Sequence, residues 1–147
     1  MNEDLYQKQI IEWSKKADHI IKLEHANCRA TASNPLCGDR ISVELELDGD
    51  IIKAISCQIK GCLLCKASGS ILAERARGLG FNEIKKLFSD LENGLKSPIS
   101  KPDSFPEDYR IFFPVRSRKS RHSCVLLPFD TVLKAILDYR TSSVTER

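Results

Sequence analysis

Three separated segments, 34–40, 61–65 and 121–124, each place a cysteine beside glycine or a basic residue. In the first, Cys37 and Asp39 stand two positions apart around a glycine, which lets the backbone bend so that a thiol and a carboxylate face one point. Loops and helix starts of this kind stabilise thiolates and leave them accessible. Whether the fold brings the three segments together therefore decides whether the chain has a metal site.

The composition predicts one globular domain spanning residues 1–147. Charged residues make up 29% and hydrophobic residues 41% of the chain, which excludes a disordered or fibrous protein. The net charge of +3 is too small to indicate binding to nucleic acid or to an acidic membrane surface. No apolar run reaches the roughly 18 residues of a membrane span, and the acidic start is unlike a signal peptide. We expect a cytoplasmic protein whose six cysteines stay reduced.

Alternating apolar and polar residues predict a small antiparallel sheet. Residues 41–48 show the period-two pattern of a half-buried strand, an Asp-Gly pair follows as a hairpin turn, and residues 51–59 return with their odd-numbered side chains on one face. A first strand over 27–33 completes about three strands. In such a meander the connection before the second strand and the end of the third lie at the same edge, so Cys37 and Cys62 are expected to be close together.

Four amphipathic helices are predicted to pack against this sheet, giving an α+β fold. Cys62 lies in the first turn of the second helix, where the helix dipole favours thiolate. Cys124 lies near the start of the last helix, with Pro128 in or just before its opening turn, and Asn82 is the predicted cap of the third. The segments are expected at 5–23, 62–77, 81–95 and from about 129, with a loop at 97–106, a short helical turn at 106–113 and frayed ends at 1–4 and 141–147.

Cys37, Asp39, Cys62 and Cys124 form a suitable ligand set for tetrahedral zinc, or for iron, through sulfur and oxygen donors. A permanent iron–sulfur centre usually has four thiolates, so the carboxylate favours a site that releases its metal more easily. Cys65, three positions after Cys62 on the predicted helix, is a thiol close to the site, an alternative ligand or a packing residue.

The remaining cysteines and the first two histidines have simpler interpretations. Cys28 and Cys57 occur in strand-like segments and are predicted to be core residues, since free cysteine is among the most buried residue types. His19 and His25 have no paired ligand nearby in the sequence, so we expect surface or capping histidines.

The cysteine segments resemble the U-type iron–sulfur cluster assembly scaffold family, the group of IscU, SufU and the NifU amino-terminal domain. The resemblance depends on Asn-Pro-Leu-Cys-Gly-Asp-Arg at 34–40, Gly-Cys at 61–62 and Arg-His-Ser-Cys at 121–124, and it extends from about Leu5 to Tyr139. The long separation of the second and third ligand cysteines is most similar to the SufU branch.

This resemblance implies a SufE/NifU-like α+β fold, a site made of Cys37, Asp39, Cys62 and Cys124, and a pyridoxal-phosphate cysteine desulfurase as partner. The desulfurase would pass sulfur as a persulfide to one of the three thiols. The scaffold would hold iron, a transient iron–sulfur cluster or zinc, and would deliver its product to downstream apo-proteins or cluster carriers.

Three residues are predicted to lie near the site without belonging to the ligand set: Cys65, Arg121 and His122. Family members carry histidine or lysine immediately before the last cysteine, where this chain has Ser123. His122 stands one place earlier, and adjacent residues of a helix or strand point in different directions, so it does not simply replace the family's histidine.

Two other functions compete with a scaffold. A zinc-dependent sulfurtransferase of the SufU type would relay sulfur without carrying a cluster, which leaves the enzymatic status open. A structural-zinc module would bind nucleic acid through the basic run at 116–122, but few aromatic residues accompany that run. The leading prediction is a non-enzymatic scaffold that binds neither nucleic acid nor a membrane.

Overall fold

A computed structural model describes residues 3–145 of the chain. It contains a three-stranded antiparallel sheet and four α-helices within those residues, so the predicted α+β class is confirmed. None of the helices in the described part of the chain has the length and apolar character needed to cross a bilayer. The elements are α1 (Glu3–Lys16), β1 (Cys28–Asn34), β2 (Asp39–Asp48), β3 (Ile51–Lys60), α2 (Leu63–Arg75), α3 (Phe81–Lys96) and α4 (His122–Thr145).

The sheet has the order β1-β2-β3 and the predicted antiparallel topology. Asn34 pairs with Asp39 across a tight turn, and Gly38 takes the positive φ of 70° that this turn requires. Arg40 pairs with Lys60 at the end of β3. The turn before β2 and the residues after β3 therefore lie at the same edge of the sheet, as the alternation pattern predicted.

The predicted face of β3 is wrong in its first half, because a β-bulge interrupts the pairing between Glu46 and Leu47. Leu47 then pairs with Ile52, which is fully buried, whereas Ile51 is exposed. An extra residue in one strand turns the following side chains to the opposite face. Uninterrupted alternation had placed Ile51 and Lys53 on the same face as Cys57.

Several predicted helix boundaries differ from the structure. The first helix ends at Lys16 with a 3-10 turn to His19, and Ile20 is already extended, so the predicted end at 23 is wrong. The cap of α3 is Gly80, whose amide donates to Glu83 Oε1 at 3.2 Å, and not Asn82. The second helix begins one residue after Cys62.

The last helix begins at His122, earlier than predicted, and Pro128 lies inside it. Proline has no amide hydrogen, so the carbonyl of Cys124 lacks its usual helical partner. At the next residue, the carbonyl of Val125 accepts a hydrogen bond from the Ser68 hydroxyl of α2, which ties the start of α4 to α2. Of the ends predicted to fray, residues 3–4 and 141–145 belong to α1 and α4, and the others lie outside the described residues.

The core lies between one face of the sheet and the helices, with α4 packed against β1, β2, α2 and α3. A 3-10 segment, Glu107–Ser117, replaces the predicted short turn and places Tyr109 and Phe112 in this core. The ring of Tyr109 lies 5.3 Å from that of Phe129 on α4. This packing fixes the start of α4, which carries Cys124, relative to the sheet edge.

Buried thiols make stability sensitive to alkali. Burial raises the pKa of Cys57 to about 12 and, with the charge of Asp138, that of Cys28 to about 11, compared with 9.0 when solvated. Because the folded state keeps these protons and the unfolded chain loses them, the contribution to stability is complete below pH 9 and is lost as pH rises towards 11–12.

We therefore expect the free energy of unfolding to fall above pH 9 by roughly 1.4 kcal/mol per pH unit for each buried thiol. Urea titrations at pH 8, 9 and 10 measure this slope. Cys57→Ala should reduce the slope, whereas Val43→Ala, which changes the cross-strand partner of Cys57, should lower stability equally at each pH. Equal slopes for Cys57→Ala and the parent would contradict the assignment.

Candidate metal centre

Three of the four predicted ligands meet at the sheet edge. One ligand atom each from Cys37, Asp39 and Cys124 lies within 4.8 Å of the other two. Cys37 belongs to the turn after β1, Asp39 is the first residue of β2, and Cys124 lies in the first turn of α4. Two thiols and a carboxylate at this separation can share one cation, with sulfur and oxygen ligands that suit zinc or iron.

Cys62 lies beside this group at the N-cap of α2, but its thiol is not one of the three mutually close ligand atoms. Its main-chain N–H donates to Asp39 Oδ1 at 2.9 Å. Its thiol interacts with that of Cys124 and contributes to raising the pKa of Cys124. The position fits a fourth ligand, and the participation of Cys62 in the site stays a prediction.

Asp39 has the surroundings of a cation ligand. The residue is 1% exposed, and while Oδ1 accepts the Cys62 amide, the buried Oδ2 has no hydrogen-bond partner among the described residues. An unpaired buried carboxylate oxygen is costly unless a cation or a proton neutralises it. A carboxylate with one unpaired buried oxygen therefore lies beside two thiols, and these residues fit a bound metal.

Gly61 allows this carboxylate to approach the start of α2. A Cβ atom at position 61 would lie 2.9 Å from Asp39 Cα and 3.1 Å from Asp39 Cβ, closer than non-bonded carbon atoms normally come. The glycine of the Gly-Cys pair therefore serves a close approach of two backbone segments.

Cys124 is the most deeply placed of the candidate ligands. It is fully buried, and burial raises the pKa of its thiol, with further increases from Cys37, Asp39 and Cys62. The proximity of Cys124, and after it the charges of Cys37 and Cys62, raises the pKa of the Arg121 guanidinium. Arg121 thus supplies positive charge to the thiols, which have to lose protons before they bind a metal.

Asn34 is a site residue that sequence reasoning did not single out. Its buried side-chain amide donates to Ser123 Oγ at 2.8 Å and lies 3.7 Å from Cys124 Sγ. It therefore holds the first turn of α4 against the end of β1. The available signal was its position at the start of the cysteine motif, but its partners stand about 90 positions away in the sequence.

The predicted neighbours His122 and Cys65 have different surroundings. His122 Nε2 lies 3.1 Å from the carbonyls of both Val115 and Arg116, so this nitrogen carries the hydrogen and donates. Cys65 is fully buried; burial is the main cause of its raised pKa, and the charges of Asp39, Cys62 and Cys37 raise it further, so its thiol lies near the site. His25 is exposed beside Glu24, and the side chain of His19 lies outside the described residues.

The basic run at 116–122 is partly used inside the fold. Arg116 donates to the Ser100 carbonyl at 2.8 Å and stacks on Phe113 at 3.9 Å. Arg121 is half-buried and lies near the thiols of the site. The exposed side chains of Arg118 and Lys119 remain as the accessible cations of this run, which is a small surface for nucleic acid.

Comparison with known proteins identifies the family of this chain. Residues 5–146 match the NifU-like N terminal domain, and the chain belongs to that family. The crystal structure of a nitrogen-fixing NifU-like protein (N-terminal) from Brucella abortus is similar over 95% of this chain and 96% of that chain, with 28% identity and a TM-score of 0.81.

Two relatives illustrate the functions found among similar proteins. The iron-sulfur cluster assembly scaffold protein IscU of Thermotoga maritima is 24% identical over 90% of this chain and 92% of its own length. The zinc-dependent sulfurtransferase SufU of Bacillus subtilis is 35% identical over a shorter region, 42% of this chain and 44% of its own length. The family is therefore shown, whereas closeness to the SufU branch has only weak support.

Removing the Asn34 amide should loosen the metal centre without removing a ligand. We expect Asn34→Ala to lower zinc affinity by roughly 10- to 100-fold, the usual effect of losing a group that orients a ligand. Competition with a chromogenic chelator measures the change. Ser123→Ala is the matched control, because it removes one acceptor and leaves the contact between Asn34 and Cys124. Parental affinity in Asn34→Ala would show that Asn34 has no part in positioning Cys124.

Proposed function

We propose that this protein is an iron–sulfur cluster assembly scaffold that accepts persulfide sulfur from a cysteine desulfurase. Cys37, Asp39, Cys62 and Cys124 would hold iron, the growing cluster or zinc. The observation that carries the proposal is the convergence of Cys37, Asp39 and Cys124, with a buried carboxylate oxygen that lacks a partner among the described residues. The carboxylate makes the site easier to empty than four thiolates would, which suits delivery of its contents to other proteins.

Sulfur transfer needs one of the three thiols as a thiolate. That thiolate attacks the outer sulfur of the donor persulfide, a new S–S bond forms on the scaffold, and the S–S bond of the donor breaks with its cysteine leaving as thiolate. No external oxidant or reductant takes part. Arg121, which lies close enough to Cys37, Cys62 and Cys124 for their charges to raise its pKa, provides the nearby positive charge that stabilises the thiolate before attack.

The test combines the purified protein with a cysteine desulfurase and cysteine, and measures protein-bound persulfide and metal by mass spectrometry. The parent should gain sulfur, and Cys37→Ser, Cys62→Ser and Cys124→Ser should impair metal binding or sulfur acceptance. Cys28→Ala is the control, since Cys28 donates to the Ala135 carbonyl in the core. If all three serine variants behaved like the parent, the proposal would be wrong.

A zinc-dependent sulfurtransferase is the second candidate, favoured by the shorter but more identical match to the Bacillus subtilis protein. Such a protein would hold zinc permanently and relay sulfur without building a cluster. Anaerobic reconstitution with iron and sulfide separates the two functions. If the purified protein shows a visible charge-transfer absorption, it holds a cluster and the result supports the scaffold. A colourless protein that keeps its zinc supports the sulfurtransferase.

Partners and location belong to the same proposal. A desulfurase supplies the sulfur, downstream apo-proteins or cluster carriers receive the product, and the cytoplasm provides the reducing conditions that the thiols need. A nucleic-acid-binding module is disfavoured because Arg116 is engaged within the fold and few aromatic residues accompany the basic run.

A further inference from the structure

A cleft of about 470 Å³ opens beside the metal centre, between α1, the start of α2 and the segment 114–121. This volume lies within the range of sites that bind small molecules. Residues from all three segments line it, among them Gln7, Ile11, Cys62, Leu64, Val115 and Arg118.

The lining combines an apolar wall with positive charge. Ile10 and Val115 are buried in the wall, and Ile11 and Leu64 are half-buried. None of the described residues that line the cleft is acidic. Arg118 is exposed, and its guanidinium makes no hydrogen bond or ion pair within the described part of the chain. An occupant with a short apolar body and a carboxylate matches these surroundings.

Cys62 connects the cleft to the metal centre. It is the one residue of the predicted ligand set that lines the cleft, and it is half-buried, in contrast to the fully buried Cys124. The main-chain N–H of Cys62 donates to Asp39 Oδ1 and so connects it to the metal centre. A molecule in the cleft would therefore meet Cys62 before any other candidate ligand.

We propose that this cleft binds a low-molecular-weight thiol that carries a carboxylate, and that the bound thiol removes sulfur from Cys62. The inference rests on the proposed function, because it requires Cys62 to carry a persulfide. The thiolate of the small molecule attacks the outer sulfur of that persulfide and forms a new S–S bond. The bond between Cys62 Sγ and the outer sulfur breaks, and Cys62 leaves as thiolate and takes up the proton lost by the small thiol.

The first experiment tests the binding site alone and needs no desulfurase. Metal-free protein is alkylated with iodoacetate or iodoacetamide, two reagents of similar size that differ in charge, and modification of Cys62 is followed by peptide mass spectrometry. Arg118→Ala should lower the iodoacetate to iodoacetamide rate ratio at Cys62 by roughly three- to tenfold. Lys119→Ala, which removes an adjacent charge outside the cleft, should change the ratio less than twofold. Equal ratios in the parent and Arg118→Ala would overturn the proposal.

The second experiment tests sulfur removal, with the persulfide loaded chemically by sodium polysulfide. At equal thiolate concentration, 3-mercaptopropionate should remove sulfur from Cys62 roughly three- to tenfold faster than cysteamine and with a rate that saturates. Gln7→Trp places a large side chain from an exposed position of α1 in the cleft and should abolish saturation, whereas Lys8→Trp, outside the cleft, should not. Non-saturating rates for both thiols would overturn the proposal.

These results remain separate from the proposed function. A protein that fails to receive sulfur from a desulfurase but shows the charge preference and saturation at Cys62 would contradict the scaffold role and support the cleft. A protein that accepts sulfur normally but shows no charge preference and no saturation at Cys62 would support the scaffold role and contradict the cleft.

Discussion

Cys124→Ser is expected to lower zinc affinity by roughly 100- to 1,000-fold. A four-ligand protein zinc site is worth about 10–16 kcal/mol in total, so one thiolate accounts for a substantial part of that free energy. Cys124 is fully buried and lies within 4.8 Å of the ligand atoms of Cys37 and Asp39. A serine hydroxyl in its place is a much poorer ligand for zinc at neutral pH.

Chelator competition with metal-free protein measures this loss, and circular dichroism establishes that the variant folds. Cys57→Ala is the matched control, because it removes a thiol of the core that is absent from the three-ligand group. Zinc affinity in Cys124→Ser within threefold of the parent would place the metal elsewhere.

Gly61→Ala should damage both the fold and the site with a single methyl group. The new Cβ would lie 2.9 Å from the Asp39 Cα, which belongs to the backbone of β2 and has little freedom to move. Overpacking of this kind costs about 1–3 kcal/mol. Relief of the clash would separate Asp39 from α2 and break the bond from the Cys62 amide, so zinc affinity should also fall by roughly 10- to 100-fold.

Gly80→Ala is the control for this substitution. A Cβ at Gly80 would come no closer than 3.4 Å to its surroundings, so we expect only the cost of alanine at the N-cap of α3, about 1 kcal/mol or less, and no change in zinc affinity. Urea titration and chelator competition on both variants give the comparison. Unchanged affinity in Gly61→Ala would mean that the approach of Asp39 to α2 is unimportant for the site.

Local patterns predicted most of this fold. Alternation over 41–48 and the Asp-Gly turn defined the hairpin, and the antiparallel connection placed Cys37 near the end of β3. The bulge between Glu46 and Leu47 was not predictable in the same way, because alternating residues fit either register and packing of Ile52 in the core decides between them.

In the candidate site, too, some residues were predictable from the sequence and others were not. The thiols and the carboxylate were recognisable because their chemistry is unusual in loops of a reduced protein. The bond from Asn34 to Ser123 was not, because it depends on how α4 packs against the sheet edge about 90 positions away. His122 illustrates the converse: proximity in sequence to Cys124 suggested a role, yet its Nε2 donates to carbonyls of the 3-10 segment.

X-ray absorption spectroscopy of the zinc-loaded protein measures the proposed coordination most directly. The account predicts three sulfur ligands at about 2.3 Å and one oxygen ligand at about 2.0 Å, with one sulfur lost in Cys62→Ser. Two sulfur ligands in the parent, or a spectrum that Cys62→Ser leaves unchanged, would contradict a centre built from Cys37, Asp39, Cys62 and Cys124.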